Sequence, residues 1–183
     1  MTERSHPHLR LIVVKPDSEK TISKPRAPRG KQLSFPYPDT STVFFVYVAS
    51  IGREEFARIL ADYVPRWIID VRAVPRLDTI TASRHSAFTL FERMKASYVD
   101  LFGRLGIKSY GSVESNPAYW SAAVFDLLKN SEQKGPYLFL FDNEQLLRTA
   151  DQILPDVLQP VIGKTARFAL IGHANADHSF TAD

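Results

Sequence analysis

The sequence predicts a three-layer α/β domain of Rossmann-like type, with a mostly parallel open sheet and helices on both faces. Short runs of Val, Ile, Phe and Tyr alternate along the chain with stretches of helical apolar spacing. Several of those runs are apolar throughout instead of alternating, so both faces of the sheet are expected to be covered. With 183 residues and no internal repeat, one such domain is expected, here placed at residues 43–172.

Each element follows from local pattern. Thr42–Val48 reads as a buried strand. Phe56, Ile59, Leu60 and Tyr63 put one apolar face on a helix over Arg53–Val64, which Pro65 stops. Trp67–Val71 is a second strand, followed by a loop through Pro75 and Thr79–Ser83. Phe88, Phe91, Met94, Tyr98, Leu101, Phe102 and Leu105 predict a long helix over Ser86–Leu105, capped by Gly106. Ile107–Tyr110 is read as a third strand. Asn116-Pro117 is a cap followed by proline at the first helical position, with Trp120, Val124, Leu127 and Leu128 inward. Tyr137–Phe141 is a strand, Asp142 and Asn143 cap a helix over Glu144–Leu154, and Phe168–Ile171 is the last strand.

The charge is unevenly placed. Residues 1–42 carry eight basic and four acidic side chains, whereas the remainder carries 15 and 16. The arm's basic core is Lys20, Lys24, Arg26, Arg29 and Lys31, with Pro25 and Pro28 between them, so an extended segment is expected. Clustered cations release counterions on a polyanion, which makes nucleic acid one expected partner. The bland reading is a solvated tether. The strip Phe35-Pro36-Tyr37 can lie in a groove of the same domain or of a protein partner, and Leu11–Val14 can add an edge strand.

Absences exclude several chemistries. Cysteine is lacking, which removes disulfides, thiolate metal sites and a cysteine nucleophile. The sequence holds no phosphate-loop, dinucleotide or His-Glu-x-x-His motif, so no cofactor and no resident metal are expected. His173, Asp177 and His178 in the tail 173–183 are a weak metal set. Ser50-Ile51-Gly52 is half of a nucleophile elbow, but Val48 stands where that motif needs glycine. Apolar runs are too short for a spanning helix or a signal-peptide core, and a soluble cytoplasmic protein is expected, with no membrane.

Chemistry-bearing residues gather where strands end, the edge at which open α/β sheets bind ligands. Ser50, Gly52 and Arg53 follow the first strand, and Asp70, Arg72 and Arg76 the second. Gly111, Ser112 and Asn116 follow the expected third. Asp142 and Asn143 follow the fourth, and Gly172, His173 and Asn175 the last. A helix N-terminus with small residues offers N–H groups to an anion, and the arginines add charge. Asp70 can orient Arg72, accept a hydroxyl or act as a base. Each also has a structural alternative: Ser50 and Asp142 as helix caps, Asp70 and Arg72 as an internal ion pair.

The segment Trp67-Ile68-Ile69-Asp70-Val71-Arg72-Ala73-Val74-Pro75-Arg76 resembles the Asp-Val-Arg-x-x-Pro-Arg signature of the prokaryotic family called domain of unknown function 488. Glu54-Glu55-Phe56 before it, and Gly106-Ile107 with Tyr110 after it, agree in order. The family's later Cys-x-Glu and Cys-His-Arg have no counterpart here, where Leu140-Phe141-Asp142-Asn143-Glu144 stands. The resemblance therefore implies a fold more than an activity, and the family carries no agreed reaction.

Three functions remain open from sequence. The first is a non-catalytic binding module for nucleic acid, nucleotide or protein, using the arm and an anion pocket of Ser50, Gly52, Arg53, Arg76, Asp142 and Asn143. The second is an enzyme on a phosphate-bearing or nucleotide-like substrate, with Asp70 and Arg72 catalytic. The third is a structural subunit of a genome-maintenance or phage-defence assembly.

Overall fold

A computed structural model describes residues 42–172. The arm residues Lys20 to Lys31, the Phe35–Tyr37 strip, Leu11–Val14 and the tail from His173 lie outside the described residues.

Five strands form one sheet in the order β3-β2-β4-β1-β5, with every pairing parallel. They are β1 (Thr42–Tyr47), β2 (Trp67–Asp70), β3 (Ser97–Asp100), β4 (Tyr137–Phe141) and β5 (Arg167–Ile171). The expected three-layer Rossmann-like class is the observed one. Strand β4 sits near the centre, and all five of its residues, Tyr-Leu-Phe-Leu-Phe, are buried. A strand covered on both faces needs no polar alternation, which is why it reads as an unbroken apolar run.

The helices are α1 (Arg53–Tyr63), α2 (Arg84–Arg93), α3 (Leu101–Leu105), α4 (Tyr110–Glu114), α5 (Pro117–Lys129) and α6 (Glu144–Ile162), with a 3-10 turn at Leu77–Thr79. On one face, Phe44, Val46, Ile68, Leu138 and Leu140 pack against Phe56, Ile59 and Leu60 of α1 and Ala87 and Phe91 of α2. On the other, Val43, Phe45, Ile69, Phe139 and Phe141 pack against Leu101, Trp120, Val124, Leu147 and Leu154 of α3, α5 and α6. Neighbouring strand residues thus face opposite layers. Connections toward β3 use the first layer and those back toward β5 use the second, the arrangement that a single crossover hand requires. No helix among the described residues is long and apolar enough to cross a membrane.

Three local expectations change. The long helix over Ser86–Leu105 is three elements: α2 ends at Arg93, β3 intervenes, and α3 follows. Lys95 takes a left-handed backbone (φ 57°), which breaks the helix without a glycine. The third strand is Ser97–Asp100; of the expected Ile107–Tyr110 strand, residues 107–109 are a connection and Tyr110 opens α4. Gly106 does close a helix, at φ 69°, but that helix is the short α3. Finally, α6 continues past Leu154 to Ile162 through Pro155 and Pro160. Leu158 and Ile162 carry its buried stripe onward, so packing outweighs the lost backbone bonds.

Candidate functional site

Helix α1 leaves β1 into one layer and α6 leaves the adjacent β4 into the other. A crevice between neighbouring strands whose helices diverge is where such sheets hold ligands. Ser50, Gly52 and Arg53 border it on the β1 side, and Asp142 and Asn143 on the β4 side. The loop Val71–Arg76 after β2 adjoins it beyond β4.

The structure brings Asp70 and Arg72 together and closes them off. Asp70 is 0% exposed and Arg72 2%. Arg72 donates from Nε to Asp70 Oδ1 at 2.8 Å and from Nη2 to Oδ2 at 2.6 Å, a two-pronged pair. The Arg72 backbone N–H also donates to Oδ1, at 3.2 Å, and the Tyr98 hydroxyl donates to Oδ2 at 3.0 Å. Arg72 Nη1 reaches the Arg76 carbonyl at 3.3 Å. Both carboxylate oxygens are therefore engaged from within the protein. Burial pushes the Asp70 carboxyl up, with the Arg72 contacts and the Tyr98 hydroxyl pulling the other way. For Arg72, burial pulls downward, but the Asp70 contacts outweigh it and the net direction is up.

Tyr98 and Tyr110 are the residues that sequence reading missed. Tyr98 lies on β3, which pairs with β2 so that Asp70 and Asp100 are opposite. It stacks on Phe91 with ring centroids 5.6 Å apart and meets Phe88 edge-on at 5.3 Å. Tyr110 opens α4; its oxygen accepts the Ala73 N–H at 2.9 Å and its hydroxyl donates to Asp142. The loop after β2 is thus pinned to the strand end of β4. Burial raises both phenols, helped by the Asp70 charge at Tyr98 and by the Asp142 hydrogen bond at Tyr110.

The remaining candidates divide into occupied and open. Ser50 Oγ contacts the Tyr47 carbonyl at 2.9 Å and the Gly172 carbonyl, joining the ends of β1 and β5. Gly172 is at φ 85°, and a Cβ there would meet Ser50 Oγ at 2.4 Å, so glycine is required twice over. Asn143 caps α6 by accepting the Leu146 N–H at 2.8 Å, and Asn116 caps α5 through Tyr119 N–H. Gly111 and Ser112 lie in α4, not after a strand.

Gly52 caps α1 with no side chain bonded to the helix end, and a Cβ there would meet nothing within 4 Å. Arg53 donates to the Asp78 carbonyl at 2.8 Å, while Arg76 pairs with the Asp78 carboxylate at 3.2 Å. Arg76 and Asp78 are 68% and 51% exposed. Two guanidiniums thus meet Asp78 beside an open helix N-terminus, Arg53 at its backbone carbonyl and Arg76 at its carboxylate. No group of three or more metal-ligating side chains occurs among the described residues.

No protein-family model, curated protein or solved structure matches this chain.

Proposed function

We propose that this chain is a non-catalytic α/β binding module that takes a phosphate-bearing ligand at the crevice between β1 and β4. Nucleic acid is the form of ligand that also engages the basic arm. The observation that carries this reading is the division of the strand-end residues. Asp70 and Arg72, the pair that an enzyme would need as base and anion holder, saturate each other in the interior. Arg53 and Arg76 instead sit at the surface beside the uncapped start of α1. Free N–H groups and guanidiniums together suit a phosphate.

In this reading the Asp-Val-Arg-x-x-Pro-Arg stretch is a loop-forming device. Asp70 folds Arg72 back, Arg72 holds the Arg76 carbonyl, and Arg76 is left projecting. The resemblance to domain of unknown function 488 is compatible with a shared architecture for that loop.

Titration with a 5′-phosphorylated single-stranded oligonucleotide at several salt concentrations tests the proposal. Binding is expected to weaken steeply with salt. Arg53→Glu and Arg76→Glu should each weaken it about tenfold, and neutralising Lys20, Lys24, Arg26, Arg29 and Lys31 should flatten the salt slope. Absence of binding to both oligonucleotide and free nucleotide at low salt overturns the proposal.

A further inference from the structure

A second concavity lies at the opposite end of β2. Strand β2 runs from Trp67 to Asp70, and Trp67 lines an open cleft of about 500 Å³ between α3 and α5. Helix α3 has five residues and α5 has 13. The floor is apolar, formed by Trp67, Leu101, Leu105 and Leu127. The volume falls within the roughly 300–1,000 Å³ of small-molecule sites.

Two charges line the same cleft from opposite helices, Arg104 on α3 and Asp126 on α5. Both are exposed, and neither forms an ion pair with another described residue. The indole is fixed in place, since Trp67 Nε1 donates to the Gln133 carbonyl at 3.0 Å. A ring surface held before a ligand arrives lowers the ordering cost of binding.

We propose that this cleft binds a small aromatic zwitterion of the α-amino-acid type. Its ring lies against Trp67 and Leu127, its carboxylate meets Arg104 and its ammonium meets Asp126. The charge pattern selects this class. A simple anion gains Arg104 but faces Asp126, a simple cation has the reverse problem, and a neutral hydrocarbon uses neither charge. A zwitterion satisfies both at once while the ring fills the apolar floor.

The chain has two tryptophans, and Trp120 is fully buried, so the indole N–H resonance of Trp67 is a local reporter that Trp67→Phe assigns. The full chain is titrated with L-phenylalanine, N-acetyl-L-phenylalanine and L-phenylalanine amide. L-phenylalanine is expected to shift the Trp67 signal saturably and leave Trp120 in place. Each capped analogue should bind about three- to fivefold more weakly, the scale of an exposed charge contact. Arg104→Ala should erase the difference between the acid and its amide, and Asp126→Asn the difference between the amine and its acetyl form. Both positions are exposed, so the fold is retained in either variant. No saturable shift by about 10 mM, well beyond the micromolar-to-millimolar range of metabolite sites, overturns the proposal. Equal binding of all three compounds also overturns it.

Discussion

Between the end of β2 and the 3-10 turn, the segment Asp70–Asp78 contains two Arg–Asp pairs at the same spacing and with opposite surroundings. Asp70 and Arg72 are two residues apart and buried, with 0% and 2% exposure; Arg76 and Asp78 are two apart and mostly in water. The chemistry is the same, so solvent decides the role. In the interior, each charge depends on its partner to offset desolvation, and the pair is locked. At the surface, water screens both charges and the pair can exchange for another anion. One pair builds the loop and the other is what the loop presents.

The largest effect that would break this contrast comes from removing Asp70. Asp70→Ala leaves a buried guanidinium without its carboxylate and should cost about 3–5 kcal/mol, measured by urea unfolding. Replacing both partners together, as Asp70→Leu with Arg72→Met, should cost much less, since no charge is stranded. Equal losses for the single and double variants would argue that packing, not charge, holds the site.

Next comes the tyrosine that pins the loop. Tyr110→Phe deprives the Ala73 N–H of its acceptor and Asp142 of its donor, and should cost about 1–2 kcal/mol. Oligonucleotide binding should fall with it if the loop must be held to present Arg76. Unchanged affinity would separate the loop from the ligand.

The pH profile sharpens the comparison further. Tyr98 and Tyr110 have folded-state pKa values raised above the ordinary 10.0. The unfolded chain therefore loses these protons first, so their contribution is intact below pH 10 and is lost as the pH climbs above it. Tyr98→Phe should make the alkaline limb shallower in a series of thermal melts, and an unchanged limb would contradict the burial of that phenol.

The smallest stability effect belongs to the exposed pair. Arg76→Ala should move Tm by less than about 2 °C, because an isolated surface pair contributes little. The same variant should weaken the phosphate ligand clearly. A large loss of stability would place Arg76 among the structural residues with Arg72.

Strands β1, β2 and β4 were legible because burial on both faces leaves its mark directly on composition, and the half-buried edge strand β5 through its Phe-Ala-Leu-Ile run. The starts of α5 and α6 were legible for the same direct reason, as Asn116-Pro117 and Asn143 are local capping signals. The region around β3 was not. Phe88, Phe91, Met94, Tyr98, Leu101 and Phe102 keep a helical spacing although three elements share it, and the break falls on Lys95, a residue with no turn signature. Losing β3 hid Tyr98, because only its pairing with β2 brings that hydroxyl to Asp70. The sequence offers Asp70 and Arg72 both as a catalytic pair and as an internal ion pair, and it carries no measure of solvent to choose between them. Whether they form an internal pair or an open site depends on groups distant in sequence, such as the Tyr98 hydroxyl on Asp70.

The strand order also sets a timetable. Only β2 and β3 pair with a neighbour in sequence; β1 lies between β4 and β5, whose partner residues begin at Tyr137 and Arg167. As the polypeptide emerges from synthesis, β1 is made first among these strands and stays unpaired until about 90 further residues have followed. Its Val-Phe-Phe-Val core is a sticky edge for that whole interval. The crevice beside β1 and β4 is consequently among the last features to form, and any nascent chain that stops before Tyr137 exposes the strand around which that crevice is built.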